Sequence, residues 1–565
     1  MALLLWMIIF LIPISCTAQQ ETKLQSLSQE FWQWRFRTQP STPDDILRVE
    51  RPDAWYPDYS PKAIENYRAK YLDFRRRLEQ IPKKHWTRSD SVDYLCLRSA
   101  IERVNWELDV LCIPNRNPDF YVHQTLGALY ELLVFNAPFT DERVQNLIHC
   151  LQSFPKTVKD AKQNLTEPSA PFAKIALDNL KEVGPKLLET QKALIPKMRA
   201  EHQLELEKAV KEGINALQNY RAWLEKNLPD MQRRFSCGRE AYIYFLKNIA
   251  LIPHSPQELL QQGRMEWNRA VAFESFEKSR NQGLGKPGLF SSADEQIAQA
   301  RIDEQAIREF LEDKDIMSVP AWLPHYYNHK TPAHVKPLSF MGVTVDFTSE
   351  NRLDQDASRY IPEPGPDLPY FYRTMAQDPR PIIIHEGVPG HYFQLARSWK
   401  NENPIRRRFV DSGPIEGIGL YVEELLLQFG LFEDRPSTRE IIYNFMRLRA
   451  LRVEIDVQLA LGTFSIEQAG VFLAESVPMD EETAVAEAGF FAYNPGQAIS
   501  YQVGKIQILK FLSDARIKMR DKFNLREFHD YLIENGNVPI ALLRWEYLGL
   551  RDEIEQFFVK EDSDE

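Results

Sequence analysis

Between positions 206 and 228, apolar residues recur at intervals that only a helix can bring to one side. These residues are Leu206, Val210, Ile214, Leu217, Tyr220, Leu224 and Leu228. Because a helix turns once every 3.6 residues, spacings of three and four place all of them on one face, which needs other elements to bury it. Pro229 predicts the end of this helix. The chain is therefore expected to build its core from packed helices.

The rest of the chain has the same helical character, with one interruption. From Ile441 to Leu461, apolar residues again recur at spacings of three and four. Between about Pro332 and Pro381 the chain is instead rich in Pro, Asp and aromatic residues, which predicts strands and loops that border a cleft. We expect a mainly α, two-lobed protein with a small strand and loop region beside the cleft. The predicted regions are a helical scaffold at 19–235 and a second region at 236–556 that carries the chemistry.

Charge and cysteine content exclude several classes of function. The formal net charge is −11, so nucleic-acid binding, which needs clustered cations, is not expected. The run Arg406–Arg408 is interpreted as a solvated helix face. Beyond the first 18 residues the four cysteines show no C-x-x-C spacing, which argues against a cysteine zinc site. This spacing is compatible with two alternatives, one or two disulfides or four buried thiols.

Both ends of the chain differ from its interior. Residues 1–18 form a short apolar run that ends in small residues, which resembles a signal peptide and predicts export to the periplasm or secretion. The run is too short for a membrane anchor, and no other segment is apolar enough to span a bilayer. Cleavage at Cys16 with lipidation is less favoured, because Pro13 is unusual three residues before a lipidated Cys. Residues 557–565 are predicted to be an acidic tail.

The segment from Ile382 to His391 carries the strongest chemical signal. It reads Ile-Ile-Ile-His-Glu-Gly-Val-Pro-Gly-His, with His385 and His391 six positions apart. In the common H-E-x-x-H zinc motif the interval is four, whereas six positions turn a regular helix by about 600° and separate the imidazoles. Pro389 and Gly390 can interrupt the helix and bring His391 round. The alternative is a buried His at a kink, followed by an exposed Glu386.

A catalytic zinc site needs a third protein ligand. Glu416 and Glu423 are seven positions apart, hence about 20° from alignment on a helix, and apolar residues surround them. We favour Glu416 as the ligand, because Gly417 would leave room for the other ligands, and Glu423 as a group that orients a ligating imidazole. The exchange of these two roles stays open, as does the alternative of two surface carboxylates.

These segments resemble a bacterial family, domain-of-unknown-function family eight-eight-five, whose members look like metallopeptidases of the His-His-Glu class. The resemblance extends over about 237–550. The similar segments are His385–His391, Glu416–Glu423, Pro495–Tyr501 and Phe528–Asp530. It implies a helical metallopeptidase-like architecture with Zn²⁺ held by His385, His391 and Glu416. The chain departs from the family pattern at Tyr392, Ile418 and Ala460, of which Ala460 stands where the family usually has a His.

The reaction itself suggests roles for the remaining residues. Glu386 is predicted to be the general base that takes the proton of water. Tyr501 is the first candidate, and His529 the second, for a donor that stabilises the oxyanion. A core Tyr and a structural His are the alternatives. Arg449, Arg452 and Asp456 fall on one helix face at spacings of three and four. They are interpreted as an ion-pair network, and a clamp for a substrate carboxylate is the alternative. His325, His329 and His334 are interpreted as bystanders in a polar loop, Trp322–His334.

The predicted function is zinc-dependent hydrolysis of peptide bonds by activated water. The expected substrate is a peptide or a small amide, and the oligomeric state is left open. One alternative is a zinc hydrolase of another amide or ester, which the same residues would serve. The other is an exported helical binding protein with an inactive zinc site.

Overall fold

The structure is a computed structural model that describes residues 22–42, 49–285 and 287–557. The predicted signal peptide at 1–18 lies outside these residues, and so does the acidic tail apart from Phe557. The protein is mainly α-helical, as predicted, with one small sheet. No helix in the described part of the chain is long and apolar enough to cross a bilayer.

Ten α-helices form the first part of the described chain. They are α1 (Lys23–Thr38), α2 (Pro61–Glu79), α3 (Arg88–Asn105), α4 (Ile113–Arg116), α5 (Pro118–Val122), α6 (Ala128–Val134), α7 (Asp141–Asn164), α8 (Ala170–Asn179), α9 (Val183–Leu194) and α10 (Ala200–Asn227). Helix α10 is the one predicted from the apolar stripe, and five members of that stripe are buried in it. A 3₁₀ turn at Leu228–Asp230 then ends it at Pro229, as expected.

Three strands and fourteen α-helices follow in the residues that the structure describes. The strands are β1 (Tyr326–Lys330), β2 (Val345–Asp346) and β3 (Ala357–Ile361). The helices are α11 (Arg239–Asn248), α12 (Pro256–Arg280), α13 (Ala293–Asp313), α14 (Tyr370–Met375), α15 (Arg380–Ile382), α16 (His391–Trp399), α17 (Pro404–Arg408), α18 (Ser412–Gln428), α19 (Pro436–Leu461), α20 (Ile466–Ser476), α21 (Glu481–Tyr493), α22 (Gln497–Met519), α23 (Leu525–Glu534) and α24 (Ile540–Leu548).

The small sheet lies in the predicted strand and loop region. Its order is β1-β3-β2, with β1 parallel and β2 antiparallel to β3. Strand β1 begins before Pro332, where the predicted strand and loop stretch starts. The strand includes His329, so the interpretation of Trp322–His334 as a polar loop is wrong at that residue. All five residues of the central strand β3 are buried, which fixes its side chains in place beside the helices.

The largest hydrophobic core joins both predicted regions of the chain. Helices α1 to α3 contribute Phe31, Phe74 and Leu95 to it, and the helices from α16 onwards contribute most of the remainder. Helices α5 to α10 build a second core together with Val335 and Tyr360. The first three helices therefore pack directly against the second region.

Arg406 corrects the interpretation of the basic run. Its side chain is buried between α3 and α24, where it bonds Asp93 and Glu546. Only its neighbours Arg407 and Arg408 are partly exposed. A buried guanidinium is retained because carboxylates pair with it. The four cysteines beyond the predicted signal peptide are all free thiols: Cys96, Cys112, Cys150 and Cys237.

Candidate metal centre

The His-Glu segment forms two helical pieces rather than one helix. A π-helical turn covers Ile383–Gly387, the backbone is extended at Val388, and α16 begins at His391. At Gly390 a Cβ atom would lie 1.9 Å from the carbonyl oxygen of His385, so only glycine fits this close approach. The interruption brings the imidazoles of His385 and His391 to 4.6 Å between ring centroids. His385 and His391 can therefore contribute to one site although they are six positions apart in the sequence.

Glu416 completes the cluster from α18. Its Oε2 lies 3.4 Å from Nε2 of His385 and 3.4 Å from Nε2 of His391. Two ligands bound at about 2.1 Å in a zinc tetrahedron lie about 3.4 Å apart, so these separations match tetrahedral zinc. Both Glu416 oxygens are buried and accept no hydrogen bond from the described residues. The three side chains therefore fit a zinc ion.

Gly419, and not Gly417, provides the space for the imidazoles. A Cβ atom at Gly419 would lie 2.7 Å from Cε1 of His385 and 3.0 Å from Cε1 of His391. At Gly417 a Cβ atom would instead meet the backbone of Gly504 at 2.6 Å, because α18 and α22 cross there. The sequence-based reason for favouring Glu416 is therefore wrong, although the geometry places Glu416 in the cluster.

Glu423 lies behind the cluster on the same face of α18. Nδ1–H of His385 donates to its Oε1 at 2.6 Å, which leaves Nε2 of His385 pointing at Glu416. Nη2 of Arg449 lies 3.6 Å from the same oxygen. A carboxylate in this position fixes the tautomer and the orientation of a ligating His.

The cluster attracts positive charge. Burial lowers the pKa of His385, but the adjacent carboxylates of Glu416 and Glu423 outweigh burial and raise it to about 9. Burial raises the pKa of Glu416, but the two imidazoles outweigh burial and hold it far below its ordinary value. Groups that stabilise bound protons this strongly also stabilise a bound cation in the same place.

Glu386 pairs with Arg359, a residue that the sequence did not suggest. Nη1 of Arg359 lies 3.0 Å from Oε1 of Glu386, and the carboxylate keeps 12% of its side-chain surface exposed. Burial raises the pKa of Glu386, but Arg359 and then the imidazoles outweigh it, so the carboxyl titrates below its ordinary range. The sequence signal for this residue is a charged side chain at the centre of β3, and it is visible only once that strand is recognised.

Tyr501 is brought to the site, on the first turns of α22. Its ring stacks on that of His385 with centroids 6.3 Å apart. The guanidinium of Arg452, a residue of α19, lies 4.6 Å from the Tyr501 ring. Asp456 accepts from the backbone N–H groups of Gly496, Ala498 and Ile499, so it anchors the start of α22. The position of Tyr501 therefore depends on a carboxylate of α19.

His529 is not brought to the site. Its Nδ1–H donates to the carbonyl of Ile316, and its Nε2 accepts from the hydroxyl of Tyr421, both at 2.8 Å. Tyr421 is five positions after Glu416, about 140° round α18, so His529 lies on the other side of that helix. Both nitrogens of His529 are engaged there, so the prediction that it donates to the oxyanion is wrong, and its role is structural.

The three departures from the family pattern lie away from the cluster's ligand atoms. The hydroxyl of Tyr392 donates to the carbonyl of Pro324, and Ile418 is part of the main core. Ala460 lies in a separate apolar core with Tyr242 and Val457. None of the three is among the groups that could hold the metal in the described chain.

A cavity of about 870 Å³ lies beside the two helices that carry Glu416 and Tyr501. Its walls include α1 and the amino-terminal ends of α18 and α22, for example Gly413 and Ser500. These residues are three and one positions from Glu416 and Tyr501. The described residues that line the cavity do not include the metal cluster itself.

A second group of possible ligands is much less suited to a metal. Asp141, Glu201 and His202 have ligand atoms within reach of one another, but both carboxylates are substantially exposed. Arg199 already pairs with Asp141 at 2.7 Å, and both nitrogens of His202 have side-chain partners. We attach no function to this group.

Comparison with known proteins identifies the family. Residues 45–546 match a family described as "Bacterial protein of unknown function (DUF885)". The chain belongs to this family. A comparison with curated proteins finds no match. The resemblance noted in the sequence is thus confirmed at the level of the family.

Two solved structures are similar to this chain in fold. One is described as a candidate lipoprotein of unknown function from Shewanella oneidensis, with 15% identity, a TM-score of 0.69, and coverage of 94% of this chain and 100% of its own. The other is described as a candidate lipoprotein from Colwellia psychrerythraea, with 18% identity, a TM-score of 0.71, and coverage of 93% and 98%. At these identities the likeness establishes the fold alone.

Proposed function

We propose that this DUF885 protein is a zinc-dependent hydrolase of peptide bonds. The observation that carries the proposal is the pair of 3.4 Å separations between Glu416 Oε2 and the two His Nε2 atoms. A buried His-His-Glu set with tetrahedral spacing and an adjacent carboxylate is the ligand arrangement of catalytic zinc sites. A purely structural zinc site would be closed by a fourth protein ligand, and the described chain offers only three.

In the proposed reaction, the oxygen of water bonds to the carbonyl carbon and the C–N bond breaks. Zinc, when bound to His385, His391 and Glu416, supplies the Lewis acid that polarises the carbonyl and acidifies water. Glu386 takes a proton from the water and delivers it to the leaving nitrogen. This carboxylate suits the role because it neighbours His385 and retains some exposure.

Three other side chains support these steps. Glu423 holds His385 in the tautomer that leaves Nε2 free. Tyr501, stacked on His385, is the proposed donor to the oxyanion. Arg359 keeps Glu386 ionised and fixes its position through their ion pair. The cavity beside α18 and α22 is the proposed space for a peptide, since residues three and one positions from Glu416 and Tyr501 line it.

The alternatives make different predictions. A zinc hydrolase of another amide or ester would use the same residues. Only the substrates that it cleaves would distinguish it from a peptide hydrolase. An inactive binding protein would bind zinc without turnover. The intact Glu386 and its partner Arg359 favour activity. We also propose export, from residues 1–18, and the description of both structural relatives as candidate lipoproteins agrees with it.

The deciding experiment is hydrolysis of a peptide library by the purified protein, with and without a chelator. Cleavage that a chelator abolishes and zinc restores is expected. Glu386→Gln should bind zinc without cleaving. Absence of cleavage across the library, with zinc bound, would favour the binding-protein alternative. Mass spectrometry of the native protein tests export, because a chain that retains residues 1–18 contradicts cleavage of the signal peptide.

A further inference from the structure

Helix α19 presents three buried charged residues beside the candidate site, and two of them have partners that balance their charge or satisfy their hydrogen bonds. Asp456 accepts from three backbone N–H groups and from the hydroxyl of Tyr242. Arg452 forms a two-point ion pair with Glu487. The sequence-based interpretation as an ion-pair network therefore fits these two residues, but it leaves Arg449 unexplained.

Arg449 has donors that nothing in the described chain satisfies. It is 3% exposed, yet its Nε and Nη1 have no hydrogen-bond partner among the described residues. Its one ion-pair partner in that part of the chain is Glu423, whose Oε1 lies 3.6 Å from Nη2 and already accepts from His385. The rest of its surroundings are aromatic, with Phe445 at 4.6 Å and Tyr501 at 5.8 Å from the guanidinium carbon. Burying a guanidinium without acceptors is costly, so an acceptor is expected here.

The unsatisfied guanidinium lies next to the groups that define the site. Two of its neighbours, Glu423 and Tyr501, both contact the imidazole of His385. Arg449 is therefore separated from a proposed zinc ligand by a single side chain. An anion that it binds would lie close to the scissile bond.

We infer that Arg449 binds the free α-carboxylate of a peptide substrate, and that the protein removes residues from the carboxy terminus. This inference rests on the proposed function and names its substrate class. A buried, charged guanidinium with unsatisfied donors matches a carboxylate, because charge-assisted hydrogen bonds between these groups are strong. In a terminal residue the carboxylate lies within about 4 Å of the scissile carbonyl, one residue's length. An internal peptide group offers no charge and only one acceptor at that position.

The rival explanation is that Arg449 only neutralises Glu423. In that case Arg449 would position the carboxylate that orients His385 and would never contact the substrate. The two explanations differ in whether the end group of the substrate matters. Paired peptides that end in a free carboxylate or in a carboxamide therefore separate them without any mutation.

For the wild-type zinc-loaded protein, kcat/KM should be about 100-fold higher for the free-acid peptide than for its amide, the size expected of a charge-assisted hydrogen-bond pair. Arg449→Met should remove this preference by slowing the free-acid peptide alone. Arg449→Lys, which keeps the charge but not the fork, should retain part of it. Arg447→Met is the matched control, since Arg447 on the same helix pairs with Glu274 and its loss should leave the preference unchanged.

The outcomes separate this inference from the proposed function. Equal cleavage of both wild-type substrates, or an equal loss on both in Arg449→Met, overturns the inference and leaves the hydrolase intact. If neither peptide is cleaved, the proposed function fails, and calorimetric binding to zinc-loaded Glu386→Gln decides the inference. Binding of the free acid but not the amide, lost in Glu386→Gln/Arg449→Met, supports it, and equal binding of both contradicts it.

Discussion

Nδ1 of His385 lies 2.6 Å from Oε1 of Glu423, while Nε2 of the same ring faces Glu416 at 3.4 Å. One imidazole is thus held between two carboxylates that are two turns apart on one helix. The two carboxylates cannot have the same role, because only Glu416 also reaches His391. The assignment of ligand and orienting group follows from this asymmetry.

The first prediction compares Glu416→Ala with Glu423→Ala. Removing an orienting carboxylate usually costs about 10- to 100-fold in metal affinity or activity, and removing a ligand should cost more. Zinc affinity is therefore expected to fall further in Glu416→Ala. A competition titration of both variants against a chelator measures the order, and the reverse order would make Glu423 the ligand.

The second prediction concerns Glu386→Gln, which preserves size but removes the base. Turnover should fall roughly 100- to 10,000-fold, the usual contribution of a general base, while zinc stays bound. Steady-state kinetics together with elemental analysis provides the measurement. Loss of the metal along with the activity would instead identify Glu386 as a ligand.

The third prediction is that Gly419→Ala displaces the imidazoles, because its Cβ atom would lie 2.7 Å from His385. Zinc affinity should fall at least about tenfold, as for other changes that misplace a ligand. Gly417→Ala should lower stability through the contact with Gly504 and affect zinc less. Gly365→Ala, which meets nothing within 4 Å, is the control. Unchanged zinc affinity in Gly419→Ala would contradict the described packing.

The fourth prediction concerns the stability of the fold in acid. Burial lowers the pKa of His529 from 6.5 to about 4. The unfolded chain therefore binds the proton first, so stability contributed by the neutral ring is present above pH 6.5 and is lost as the pH falls toward 4. At pH 5 the loss is about 2 kcal/mol.

The variant His529→Gln should accordingly show a smaller drop in melting temperature between pH 7.5 and pH 5 than the wild type. His85→Gln, at an exposed position, should behave like the wild type. An identical drop in wild type and His529→Gln would show that His529 does not titrate between the folded and unfolded states.

The sequence predicted the helical fold and most of the candidate site, because both depend on local spacing. Helical periodicity places the apolar stripe from Leu206 to Leu228 on one face of a helix, and it does the same for Glu416 and Glu423. Arg359 could not be predicted, because its role depends on β3 crossing behind Glu386, a contact between segments distant in sequence. The structural role of His529 likewise depends on Tyr421, 108 positions away.

The most direct test of the zinc assignment is a titration of the metal-free protein with zinc, followed by hydrolysis of a free-acid peptide. We expect the rate to rise linearly and to saturate at about one zinc per chain, since His385, His391 and Glu416 form a single three-ligand site. We also expect that Glu416→Ala does not reach the wild-type rate at that stoichiometry. Hydrolysis that is independent of zinc, or zinc binding that Glu416→Ala leaves unchanged, would contradict it.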